Sequence, residues 1–335
     1  MISRRSFLAA CAAVSMAATG GAVAQDLTKV TVAIPNPSIV YVFPLAVAME
    51  EGFFAAQGLD VEVQVVDGSA QVIQMMAAGQ AQIGNPGPAP TLAAVERGVD
   101  IVFMYNHSTK NGWRIGVPEG SDVTSLADLK GKTVGAGTAD GSDAGFARSV
   151  LASAGLGPDD YNLIAVGDGG LAIAAVARND IDAYVAGIND AAIMSMRGVE
   201  LTNLTPPEFA GFFSNGLAVM RPWAEENRDL VVGFGKAWVQ AVRFGMDDAN
   251  EDKVLADIAA VSPAEGEDPE FARAFFRVFK DHISRLDDTK GWGYQDPAAW
   301  KRWEESIVAS GGLKGPLPDL TRAYTNDYID EWNAN

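Results

Sequence analysis

The sequence predicts an α/β protein of two similar lobes with a cleft between them, and three observations lead there. The first is a repeat. Ala81–Val99 (AQIGNPGPAPTLAAVERGV) returns one hundred residues later as Ile181–Val199 (IDAYVAGINDAAIMSMRGV), aligning Gly87 with Gly187, Arg97 with Arg197, Gly98 with Gly198 and Val99 with Val199. The segments before them, Ser69–Gly79 and Gly169–Asn179, correspond as well. Each copy reads as helix, short strand, tight turn and second helix, ended by Gly98 or Gly198. The second observation is a strand–loop–helix–strand opening, the order that makes a parallel sheet. The third is length and composition: 335 residues, 48% hydrophobic, suit a globular chain of two lobes. Two strand–turn–helix units facing each other place the carboxyl ends of their strands, where α/β sheets bind ligands, on one cleft.

Met1–Ala24 reads as a cleaved signal peptide: Arg4 and Arg5, a short apolar stretch Phe7–Ala18, and the cleavage pattern Ala22-Val23-Ala24. Ser3–Leu8 (SRRSFL) resembles the twin-arginine motif, with Ala9 where Lys is usual; an ordinary Sec signal and a lipobox at Leu8–Cys11 are the alternatives. Cys11 is the only cysteine, so a mature chain from Gln25 has no disulfide, thiolate metal site or cysteine nucleophile. Cleavage leaves 23 basic against 43 acidic residues, a net charge of −20, which disfavours nucleic acid and anionic lipid.

Val30–Ile34 (VTVAI) is the first strand. Pro35–Pro44 is a loop carrying Tyr41 and Phe43, Pro44 opens a helix as its first residue, and that helix runs to Gly58. Leu59–Val66 alternates outward Glu62 and Gln64 with inward valines, a second strand.

EEGFFAAQGLDVEVQ after this opening resembles the periplasmic substrate-binding proteins of the sulfonate/nitrate/taurine type and their thiamine-pyrimidine relatives. Three later segments match in order: AQIGNPGPAP with Gln82 for the usual Asp, SLADLKGKTVGAG (Ser125–Gly137), and GGLKGPLPDLTRAYTNDYID near the C-terminus. The resemblance implies the two-lobe type II periplasmic binding fold, each lobe a mixed sheet flanked by helices. One lobe would hold Gln25–Lys110 and Gly216–Asn335, the other Asn111–Asn215. It implies capture of a small organic solute by lobe closure, and delivery by a monomer to an ABC permease of the inner membrane. A sensing partner of a membrane receptor is the alternative. A thiamine-pyrimidine synthase is a further one, but it depends on cysteine- and histidine-rich elements that the mature chain lacks.

Past the strand Ile101–Tyr105, the chain crosses between lobes near Asn106–Trp113. Arg114–Val117 and Lys132–Ala136 are strands, and a helix capped by Ser142 or Asp143 runs to Gly155. Pro-initiated RPWAEENRDLVVGFGKAWVQAVRFGM reads as one amphipathic helix with Leu230, Val231, Phe234, Trp238 and Val242 on a core stripe. Pro269–Leu286 and Pro297–Ser310 are further helices, and Asp247–Asp252 lacks the glycine and closing glutamate of a calcium loop.

No nucleophile elbow, P-loop or zinc-protease motif occurs, so no catalytic residue, cofactor or metal is expected. Candidate ligand contacts follow from loop position. Tyr41, Phe43 and Trp113 offer aromatic faces, Asn85 and Gly87 the first repeat turn, and Asn189 and Asp190 the second. Gly141 and Ser142 offer helix-start N–H groups. His107, Lys110, Arg114 and Asp140 are weaker candidates, each read also as a core or surface residue. Tyr105, Phe212 and Phe213 lie near the expected crossings. Acids at Asp140, Asp143, Asp168 and Asp190 outnumber cations there, which favours a heteroaromatic, pyrimidine-like solute over an aromatic carboxylate, and an alkanesulfonate least.

Overall fold

The computed structural model describes residues 27–283, 285 and 289–334; the expected signal peptide, Met1–Ala24, lies outside them. Ten strands are present among the described residues: β1 (Thr28–Ile34), β2 (Leu59–Val65), β3 (Ile83–Gly84), β4 (Ile101–Asn106), β5 (Trp113–Pro118), β6 (Thr133–Ala136), β7 (Asn162–Ala165), β8 (Ala183–Gly187), β9 (Leu201–Asn203) and β10 (Gly216–Met220). They form two five-stranded mixed sheets of the same design, β2-β1-β3-β10-β4 and β7-β6-β8-β5-β9. In each, the fourth strand runs against its neighbours. That strand has come from the other side: β4 crosses over into β5, and β9 crosses back into β10.

The hundred-residue repeat holds to the residue. β3 sets Ile83 and Gly84 beside Val32 and Ala33, and β8 sets Ala183 and Tyr184 beside Val134 and Gly135. The preceding helices, Gly68–Ala77 and Gly170–Ala177, end on left-handed residues, Gly79 (φ 70°) and Asn179 (φ 56°). In both, the next two amides return to paired carbonyls: Gly79 and Gln80 to Met76 and Met75, Asn179 and Asp180 to Val176 and Ala175. Gln82 does the work of its counterpart Asp182. Its side-chain oxygen accepts the Thr31 amide at 2.8 Å, as the Asp182 carboxylate accepts that of Thr133 at 2.8 Å.

Helix limits differ from the sequence reading where backbone chemistry breaks a run. The first helix stops at Glu50, because Gly52 turns left-handed (φ 73°), and resumes as Phe53–Ala56; it begins at Phe43, so Pro44 is its second residue. The long helix divides at Asn227 into Arg221–Glu226 and Arg228–Met246. Val231, Phe234, Trp238 and Val242 of its stripe are fully buried, each large side chain contributing about 1.5–3 kcal/mol. Pro269–Leu286 gives a helix over Pro269–Lys280. The Pro297–Ala309 helix packs on both the Pro88–Glu96 and the Ser142–Ser153 helices, and its Trp300 and Trp303 sit in a core that takes residues from both sheets.

Asn179 is the one non-glycine with positive φ among the described residues. Asn179→Gly should leave stability unchanged or raise it, whereas Asn179→Ala should cost about 1 kcal/mol, measured by urea unfolding of the mature protein.

Candidate functional site

The carboxyl ends of β1, β6 and β8 and two helix starts, Ser69 and Ser142, converge on a cavity of about 80 Å³ between the sheets. Pro35 and Asn36 line it from the first sheet; Gly137, Thr138, Gly141, Asp143, Asp168, Gly187, Asn189 and Asp190 line it from the second. Trp113 and Asn215, from the two crossings, also reach it. The sheets touch here. Ser69 and Ser142 hydroxyls lie 2.8 Å apart, and the Gly87 amide donates to Ser69 Oγ at 3.1 Å. A Cβ on Gly87 would stand 1.9 Å from Ser142 Oγ and 2.7 Å from Asn215 Oδ1, so only glycine permits this closeness.

The electrostatics are set by three acids. Asp190 is 4% exposed; its carboxylate accepts the Gly169 amide at 2.9 Å and the Gly187 amide at 3.3 Å. Burial, with Asp168 nearby, pushes it up to about 7. Asp143 accepts the Gly137 amide at 2.6 Å and, more loosely, that of Thr138, and burial pushes it up to about 6. Asp168 is exposed at the rim and takes the Tyr184 hydroxyl at 3.3 Å; partial burial raises it too. Among the described residues, no lysine or arginine lines the cavity. Asp143 and Asp190 occupy the first turns of the Ser142–Ser153 and Ile188–Met196 helices, and so oppose the positive ends that would otherwise hold an anion.

Of the expected ligand contacts, Trp113, Gly141, Ser142, Asn189 and Asp190 line the cavity. Asn85 and Gly87 lie just beneath, fully enclosed: Asn85 donates to the Gly216 carbonyl at 3.2 Å, and Asn215 donates to the Asn85 carbonyl at 3.1 Å. The other candidates do not meet there. Phe43 packs edge-on against Phe276 in the first core, because its loop turns helical at that residue. Tyr41 stands behind the cavity, its hydroxyl 3.1 Å from that of Ser214, with burial pushing it up to about 12. His107 is buried with Nε2 2.7 Å from the Tyr41 carbonyl; burial pushes it down to about 4, so it is neutral and Nε2 is the donor. Asp140 is exposed on another face, and Lys110 and Arg114 line a separate cavity. Tyr105, Phe212 and Phe213 are core residues. Neither Ser142 nor Asp143 caps the helix; Gly141 is the N-cap, Ser142 turns to Ser69, and Asp143 turns back to Gly137.

Sequence reasoning missed Asn36, Ser69, Asn215 and Glu265. Glu265 reaches the Tyr41 loop from far along the chain: its carboxylate accepts the Ser38 hydroxyl at 2.9 Å and the Ile39 and Val40 amides at 2.7 and 3.2 Å. Nothing in local pattern marks a contact between residues so distant. Asn215 is 5% exposed with an unpartnered Oδ1, a signal visible only in three dimensions.

Two outcomes follow for the unliganded mature protein. Gly87→Ala should hold the sheets further apart, giving a larger radius of gyration by X-ray scattering with little loss of stability. A carboxyl whose pKa is raised on folding stabilises the folded state below its unfolded pKa, and loses that contribution as pH rises through the folded value. Asp190→Asn should therefore gain stability relative to the parent between about pH 4 and pH 7, read as a shift in relative melting temperature.

Comparison with known proteins gives the family. Residues 39–252 match the family described as NMT1/THI5 like. Over 315 residues the chain is 24% identical to the riboflavin-binding protein RibY of Chloroflexus aurantiacus, covering 91% of this chain and 86% of that one. Over 108 residues, 32% of each chain, it is 30% identical to the 4-amino-5-hydroxymethyl-2-methylpyrimidine phosphate synthase of Uromyces fabae. Among solved structures, a protein of Bordetella bronchiseptica RB50 matches with TM-score 0.76 at 21% identity, over 92% of this chain and 98% of its own. The periplasmic aliphatic sulphonate binding protein SsuA of Escherichia coli matches with TM-score 0.68 at 15% identity, over 90% and 98%. The two paired sheets are thus the fold of periplasmic binding proteins, and the chain belongs to the NMT1/THI5-like family.

Proposed function

We propose that this chain is an extracytoplasmic solute-binding protein. It takes up a small nitrogen heterocycle between two lobes and presents the closed form to an ABC permease. The lobes divide at the two crossings, Lys110–Asn111 and Asn215–Gly216, and the N-terminal signal exports the chain. The observation that carries the ligand class is the acid-lined cavity with no cation in its wall. Three carboxyls and the free Asn215 Oδ1 are acceptors, so the solute that satisfies them is rich in N–H donors. Amino and ring N–H groups of a pyrimidine-like heterocycle fit, with the Trp113 indole as a flat apolar wall. An alkanesulfonate or nitrate meets carboxylates where it needs donors, which ranks it last. A relative named for binding riboflavin supports a flat nitrogen ring without fixing which one.

The cavity is small beside the ~300–1,000 Å³ of typical ligand sites, so the solute enters a wider cleft. Parting Ser69 from Ser142 is the movement that widens it.

The test is calorimetry of the mature protein with aminopyrimidines, taurine and nitrate. An aminopyrimidine should bind, be recovered unchanged, and bind about tenfold more weakly to Asp190→Asn, the loss of one charge-assisted hydrogen bond. Tight taurine or nitrate binding unaffected by Asp190→Asn would overturn the ligand class, and turnover of the solute would overturn the binding role.

A further inference from the structure

A second cavity, of about 800 Å³, lies on the other side of Trp113 and Gly187, which line both. Its walls come from both crossings, Lys110–Arg114 and Thr205–Ala210, from the Ile188–Met196 helix, and from Val278 and His282 beside the first sheet's helices. Ile188, Leu201, Pro206 and Val278 make much of that wall apolar.

Its ionisable side chains are committed, with one exception. Lys110 donates to the Asp281 carbonyl at 2.6 Å. Glu200 accepts the Ser195 hydroxyl at 2.6 Å. His282 Nδ1 lies 3.1 Å from the Val278 carbonyl. Arg114 is half-buried on β5, and no hydrogen bond or ion pair engages its guanidinium among the described residues; Glu200 acts on it only through space. Desolvation without a partner is costly for a guanidinium, and the planar fork matches a carboxylate with two parallel hydrogen bonds.

We propose that this cavity is a second binding site, selective for a small organic carboxylate with an apolar body. The carboxylate pairs with Arg114, and the body lies against Ile188, Pro206 and Val278. The acidic cavity would repel the same anion, so the two sites take ligands of opposite character. Both crossings form its wall, so an occupant contacts groups that move when the lobes rotate. Such a ligand favours one lobe arrangement and changes affinity in the first cavity, and the first ligand changes its affinity by the same factor. This proposal stands whether or not the first cavity takes a heterocycle.

Benzoate is the probe, titrated into the mature protein by calorimetry. We expect one-to-one binding to the parent, unchanged in Asp190→Asn and about tenfold weaker in Arg114→Gln, the loss of one bidentate pair. Ala192→Glu, which adds a carboxylate and bulk to the same wall on a helix, should abolish binding and tests the site should Arg114→Gln not fold. Absence of benzoate binding, equal binding by both Arg114→Gln and Ala192→Glu, or loss in Asp190→Asn alone would overturn the proposal.

Discussion

Each sheet takes into its body, antiparallel to its neighbours, the strand that directly follows a crossing. β5 runs between β8 and β9, and β10 between β3 and β4, each hydrogen-bonded on both edges. A strand in the body of a sheet cannot be lifted out without breaking two ladders. Each crossing is therefore anchored at once in the interior of the sheet it enters. Trp113 opens β5 and Asn215 immediately precedes β10, so both crossings deliver a side chain directly to the cavity.

The acids of the second sheet show what such a site trades. Asp143 and Asp190 each bind backbone amides in turns that the helices need, which gives them a structural reason to be there. Burial with no neighbouring cation makes their charged forms expensive. Under the binding role proposed above, a solute that supplies N–H donors would offset that cost, and the unliganded protein would hold part of the binding free energy in reserve.

The alternation of small residues, glycines and short apolar strands made the repeat readable, because the same turn chemistry, a left-handed stop at Gly98 and Gly198 and an extended glycine at Gly87 and Gly187, was written twice. Cavity residues at helix starts were readable for the same reason: Ser142 and Asp190 sit where a strand-to-helix turn must face the opposing half. The aromatics were not. Phe43 and Tyr41 differ by two positions in one loop, and only the onset of the helix decides that one ring enters the core while the other's hydroxyl meets Ser214. Breaks at Gly52 and Asn227 escaped because the hydrophobic period continues through both. Glu265 and Asn215 act over separations that no local pattern encodes.

The Pro297–Ala309 helix has a consequence for traffic. It lies across both halves on one flank, with Trp303 donating its indole N–H to the Phe213 carbonyl at 3.1 Å and packing edge-on to Trp113. Where the Pro269–Lys280 and Ile188–Met196 helices meet, the large cavity lies alongside. Parting the halves on the tryptophan flank would expose a joint core, whereas parting them on the other enlarges space that is already there. The uptake proposed above therefore opens the molecule on the Arg114 side, where less buried core is exposed.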